Sequence, residues 1–178
     1  MTERSLLLLR HAKSSWDDPS LDDFDRPLAK RGREAAPRIG KEMARRGWLP
    51  DLALVSPAAR TRQTFGMVAA ELPVAPAAAF DRSIYEAPAG RILAAIRAVG
   101  DEVRTLLVVG HNPGLEDLAS DLASSRSDSQ ALALMSKKFP TGAITLLTFD
   151  GSWRDLGSGT ARLDAFVTPR DLGRVTGF

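Results

Sequence analysis

Cysteine is absent from this chain of 178 residues, histidine occurs twice and tyrosine once. Without cysteine there is no disulfide, no thiolate metal site and no cysteine nucleophile, which suits a reducing compartment. An excess of one charge is missing too, since 24 basic and 22 acidic residues leave a net +2. A nucleic-acid binder concentrates basic residues on one face, and the nearest approach here is the short Lys30-Arg31-Gly32-Arg33. Long apolar runs are also lacking. Met1-Thr2-Glu3-Arg4 precedes Leu6–Leu9, a run far too short for a signal-peptide core or a membrane span. These absences predict a cytoplasmic protein with no nucleic-acid or membrane partner. Nothing in the pattern specifies an oligomeric state.

What is present starts with Leu6-Leu7-Leu8-Leu9, four leucines ending abruptly in Arg10-His11. Such a run reads as a fully buried strand. At the carboxyl end of a parallel strand lies the crevice where these sheets bind ligands, so Arg10 and His11 would stand at its mouth. The only other histidine, His111, follows a second apolar run, Leu106-Leu107-Val108-Val109-Gly110. That repetition is the main clue.

Between the two runs, Pro, Ser and Asp crowd residues 13–25 into a loop. A helix is predicted from Lys30 to Arg46, stopped by Gly47, with Ala35, Ala36, Ile39 and Met43 as its buried stripe. Pro37 must lie early in it or bend it. Residues 52–55 form a strand, and Ser56-Pro57 reads as N-cap plus first helical residue of a helix over 57–72. Residues 74–80 are an edge-like strand because of Pro73 and Pro76. Ile92, Leu93 and Ile96 mark one face of a further helix. After the strand over 105–109, Asn112-Pro113 repeats the cap-then-proline start of a helix running to Ala123. A short helix over 130–138 and strands over 143–149 and 161–167 complete the pattern. Strands alternating with helices predict one three-layer α/β/α domain over 1–178, its central sheet mostly parallel. The last two strands lack a helix between them, which predicts an antiparallel part.

Three features converge on phosphate. Arg10 and His11 end one strand, Arg60 sits in the first turn of a helix, and His111 precedes another helix N-terminus. Helix N-termini carry free N–H groups and partial positive charge, and arginine grips phosphoryl oxygens in a fork that lysine cannot form. Leu9-Arg10-His11-Ala12 resembles the Arg-His-Gly motif of the histidine phosphatase superfamily, with its phosphoglycerate-mutase-like fold. Residues 56–64, Ser-Pro-Ala-Ala-Arg-Thr-Arg-Gln-Thr, are similar to that family's second motif, and Val109-Gly110-His111-Asn112-Pro113 to its third. Arg26 to Gly32 resembles a further common element. The length and the ending Val167 to Leu172 are similar to the small SixA-type phosphohistidine phosphatases.

The resemblance implies that His11 is the nucleophile, that Arg10, Arg60 and His111 bind the phosphoryl group, and that no metal or other cofactor is needed. An unperturbed imidazole, with a pKa of about 6.5, is largely the free base near neutrality, so the rate should fall as pH drops below that value. The glutamate that many members use to protonate the leaving group matches Glu86. Ala12 stands in place of a glycine, and Asp17 where many members carry a phosphate-touching asparagine. Asp17, Asp18, Asp22, Asp23 and Asp25 fit no calcium loop and read as a solvated acidic loop. The expected substrate is a phosphohistidine-bearing protein. A small phosphate ester is the first alternative, and a phosphate-binding module without turnover the second.

Overall fold

Leu6, Leu7, Leu8 and Leu9 are completely buried in the computed structural model, which describes residues 2–172. They lie in β1 (Glu3–Arg10), near the middle of a six-stranded sheet. The other strands are β2 (Leu52–Val55), β3 (Ala77–Phe80), β4 (Thr105–Gly110), β5 (Ile144–Asp150) and β6 (Arg162–Val167). Their spatial order is β3-β2-β4-β1-β5-β6. β3, β2, β4 and β1 pair in parallel, and β5 is antiparallel to both β1 and β6. The antiparallel part is therefore β5. Only a short 3-10 turn, Trp153–Asp155, interrupts the connection from β5 to β6.

Because successive strand residues face opposite ways, the leucines divide between two cores. Leu6 and Leu8 join Leu54, Leu106 and Val108 under α3 (Ala89–Arg97), α4 (Gly114–Leu122) and α5 (Ser129–Lys137). Leu7 and Leu9 join Ala53, Val55, Leu107 and Val109 under α1 (Lys30–Arg46) and α2 (Ala59–Ala69). A short α6 (Pro169–Leu172) follows β6 and lies against α1. Burial of each leucine contributes about 2 kcal/mol. A run apolar on both faces is what a strand covered by helices on both sides needs.

The helix over 30–46 has the expected bounds and stripe, and Gly47 ends it in a left-handed turn at φ 74°. Pro37 is not near its start but eight residues in, and the helix continues through it. The edge strand is shorter than expected, because its pairing with β2 begins only after Pro76, at Ala77. The two cap-then-proline starts also differ. α2 begins at Ala59 with Ala58 as its N-cap and no side-chain cap, and Ser56, three residues before the helix, has its hydroxyl against His111. α4 begins at Gly114, and Asn112 Oδ1 accepts the Glu116 N–H at 3.1 Å.

Gly32, in the first turns of α1, touches the segment just after β1. A Cβ there would stand 2.2 Å from the Lys13 carbonyl oxygen, which already accepts the Ala29 N–H at 2.8 Å. Gly32→Ala should cost about 1–3 kcal/mol of stability. Gly66→Ala, in α2 with open space around it, should cost nothing or stabilise by up to about 1 kcal/mol. Urea unfolding of both variants tests the contrast, and equal effects would refute it.

Candidate active site

The sheet places the two histidines side by side. Arg10 of β1 is in register with Gly110 of β4, and the His11 N–H donates to the Gly110 carbonyl at 3.1 Å. His11 and His111 thus leave adjacent strand ends, with ring centroids 5.5 Å apart. On the other side of β4, the Ser56 N–H donates to Val109 O at 3.0 Å. This brings Ser56 Oγ to 2.7 Å from His111 Nε2.

His11 is oriented by its own backbone. Its Nδ1 lies 2.7 Å from the Ala12 carbonyl oxygen, which can only accept, so Nδ1 carries the proton and Nε2 the lone pair. Ala12 is buried, outside the left-handed region of backbone space, and its N–H donates to Thr64 Oγ1 at 3.0 Å. Alanine therefore fits where glycine was the family expectation.

Arg60 is 1% exposed and is the hub of the site. Its Nη1 donates to Asp23 O at 2.7 Å. Its Nη2 donates to Asp23 Oδ2 at 3.0 Å and Glu86 Oε1 at 2.6 Å, and reaches His111 Nδ1 at 3.3 Å. A guanidinium can only donate, so His111 Nδ1 accepts and Nε2–H points to Ser56. Arg10 Nη1 donates to Phe139 O at 2.9 Å. The Nε atoms of Arg10 and Arg60 are buried without a hydrogen-bond partner among the described residues. Unsatisfied buried donors of this kind ask for an acceptor. Glu86 holds its place at φ 49°, the one non-glycine residue at positive φ among those described, a conformation that persists only where its surroundings impose it.

The charges follow from this geometry. Burial pushes the His11 imidazole down to about 4, with Arg60, Arg10 and Arg26 adding to the shift. Burial, then Arg60 and His11, push His111 down to about 3. Burial also lowers Arg10. Partial burial opposes ionisation of Asp23, yet hydrogen bonds from Tyr85, Arg60 and Arg26 hold it at about 2. Two neutral imidazoles thus stand beside fixed guanidinium groups. This corrects the unperturbed imidazole pKa expected from sequence, because that value ignores burial.

A model of the histidine phosphatase superfamily (branch 1) matches residues 6–90. An uncharacterised protein of Mycobacterium tuberculosis is 40% identical over 169 residues, covering 91% of this chain and all of that protein. The SixA structure from Nakamurella multipartitia is 31% identical with a TM-score of 0.81, covering 95% of this chain and 98% of that one. The SixA structure from Agrobacterium tumefaciens, also 31% identical, has a TM-score of 0.78 and covers 93% and 98%. The chain belongs to the histidine phosphatase superfamily. Kinship with that superfamily and with SixA makes it a phosphatase with a phosphoglycerate-mutase-like fold.

In this histidine phosphatase, Arg10, His11, Arg60 and Glu86 lie within the matched span, while His111 lies beyond it and is brought in by β4. All five expected site residues converge. Asp17 does not, being exposed with no side-chain bond to the cluster. Sequence reading missed Asp23 and Ser56. Asp23 was counted in a solvated loop, but it binds Arg60 and Arg26 and accepts the Tyr85 hydroxyl. Arg26, 6% exposed, also donates to Ser14 Oγ at 2.9 Å and stacks 3.5 Å from the Trp16 ring centroid. The one available signal was the arginine of the Arg26-Pro27-Leu28 element, which needs an acidic partner nearby.

Proposed function

We propose that this histidine phosphatase removes the phosphoryl group from phosphohistidine in a protein, through phospho-His11. The observation that carries the reading is the Nδ1–H bond to Ala12, which leaves His11 Nε2 free beside Arg10, Arg60 and His111. Nε2 attacks phosphorus while the substrate's P–N bond breaks and its imidazole leaves with the bonding pair. That imidazole departs neutral once its second nitrogen is protonated. Phospho-His11 keeps its Nδ1–H on Ala12. Water then adds to phosphorus, the His11 N–P bond breaks, and phosphate departs with the water's protons.

Phosphoryl transfer depends mainly on positioning and electrostatics. Arg60 and Arg10 supply fixed positive charge, and their unpartnered Nε–H groups are free for phosphoryl oxygens. A bound dianion favours protonation of His111, which then donates to the phosphoryl group. Two solved relatives carrying the SixA phosphohistidine phosphatase name support this substrate class. The cysteine-free composition suits the reducing cytoplasm.

One observation favours the ester alternative. Glu86 stands 3.4 Å from His111, and its Oε2 makes no hydrogen bond among the described residues, so it could protonate an alkoxide leaving group. Turnover of a phosphohistidine peptide and of p-nitrophenyl phosphate separates the readings. A kcat/KM for the peptide higher by about tenfold or more, or about 1.4 kcal/mol, supports phosphohistidine; the reverse order supports the ester. Silence on both would mean binding without turnover. The pH profile is a further expectation. After correction for substrate ionisation, kcat/KM should stay level from pH 7 to about 5 and fall near the His11 value of about 4. A limb at 6.5 would show that His11 is not buried as described.

A further inference from the structure

Beside the catalytic end of β1 lies an open groove of about 1010 Å³, bounded by α1, the end of α5 and α6. Six basic residues line it: Lys13, Arg31, Arg38, Lys137, Lys138 and Arg170. All six are exposed, and among the described residues none forms an ion pair. Elsewhere on the surface Arg45 and Arg46 share an ion pair with Glu42, and Arg162 pairs with Asp164. The groove's acidic residues are only Glu34 and Asp171. Asp171 is engaged locally, accepting from the Thr168 N–H and hydroxyl at 2.9 and 3.1 Å. Six cations against two anions give the groove +4, twice the net +2 of the whole chain, so the rest of the sequence sums to −2.

The groove is contiguous with the site. Lys13 follows His11 by two residues, at most about 7 Å of backbone. Pro140 and Thr141 on its wall connect Phe139, whose carbonyl accepts from Arg10, to Gly142, whose N–H donates to His11 O at 2.9 Å. Leu134, 46% exposed, adds an apolar contact among the charges. The geometry points to this groove as the docking surface for an acidic segment of the phosphorylated protein substrate, seated with its phosphohistidine at His11. The inference rests on the phosphohistidine reading. Unpaired surface cations steer an anionic partner and fix its register, and an apolar contact inside a charged rim is the usual anatomy of a protein interface. A small phosphoramidate would reach His11 without touching the groove.

Two phosphohistidine peptides of about 20 residues, long enough when extended to span roughly 65 Å, test this. One carries glutamates around the phosphohistidine and the other glutamines. The protein should turn over the acidic peptide with kcat/KM about tenfold higher at low salt, and the gap should close at about 0.5 M salt. Arg38→Glu/Lys137→Glu/Lys138→Glu should abolish the preference and leave phosphoramidate turnover unchanged. The milder Arg38→Gln/Lys137→Gln/Lys138→Gln should reduce it partway. Equal rates on the two peptides, or a preference that survives in both variants, would overturn the docking surface. A duplex oligonucleotide displacing the acidic peptide better than its unphosphorylated form does would reassign the groove to nucleic acid. If phosphoramidate and both peptides stay intact, the phosphohistidine reading has failed, and the docking inference falls with it.

Discussion

His11→Ala should lower phosphatase turnover by at least about 10⁴-fold, equivalent to roughly 5.5 kcal/mol of barrier, and should leave no phosphoenzyme to trap. The loss is total in kind because the variant has no atom to take the phosphoryl group. Arg10, Arg60 and His111 would still bind a phosphate, so affinity for inorganic phosphate should survive. That separation identifies a nucleophile and sets it apart from a binding residue. Phosphohistidine is labile in acid and stable in base, so an alkaline quench should retain label on the wild type alone. Turnover within about tenfold of wild type, little more than 1.4 kcal/mol, would end the covalent mechanism. Misfolding is not an adequate alternative explanation. His11 lies at the rim of the core, 7% exposed, and the bonds that fix this segment come from backbone groups of Arg10, His11 and Ala12, which alanine retains.

Acid should destabilise the protein strongly between pH 6.5 and 4.5, before most carboxylates titrate. Both histidines have folded values depressed below the ordinary 6.5, to about 4 for His11 and about 3 for His111. The unfolded chain therefore binds protons that the folded one refuses. Their contribution is present above pH 6.5 and is lost as pH falls from there toward the folded values. At pH 4.5 each histidine should have cost about 2–3 kcal/mol at 1.36 kcal/mol per unit, or about 5 kcal/mol together. That is a large share of a typical domain's stability. Asp23 and Glu42, each held at about 2 from ordinary values of 3.8 and 4.5, add their loss mainly below that window. Urea unfolding at pH 7.5 and 4.5 measures the difference. His11→Ala/His111→Ala should flatten the profile, while an equally flat wild-type profile would contradict burial of two neutral rings.

Burial keeps both imidazoles neutral near physiological pH, and the same burial makes the fold vulnerable in acid. Under the proposed mechanism, the His11 ring carries both the level pH profile and part of that liability.

Local patterns made much of this phosphatase legible. Unbroken apolar runs marked strands covered on both faces, and the four-residue spacing of Ala35, Ile39 and Met43, with Gly47 as the stop, gave α1 its bounds. Arg10, His11, Arg60 and His111 were readable as site candidates because each ends or opens an element whose type was clear, and Glu86 came from the family resemblance. Misreadings came where a side chain had a distant partner. Ser56 before proline has the local form of a helix cap, but its hydroxyl goes to His111, 55 residues away. Asp23 sits in a run of aspartates that locally means solvent, but it binds Arg60, 37 residues on.

By itself, then, the sequence determined the elements, the three-layer class and the short set of candidate site residues, because periodicity, caps and residue chemistry act within one or two turns of chain. Tertiary structure alone decided that β1 and β4 are neighbours with Arg10 opposite Gly110, which puts two distant histidines at one crevice. It also decided His11's free nitrogen, its lowered pKa and the carboxylate clamp on Arg60. Strand order and register are set by long-range packing of both cores. Burial and proton position follow only once those neighbours are in place.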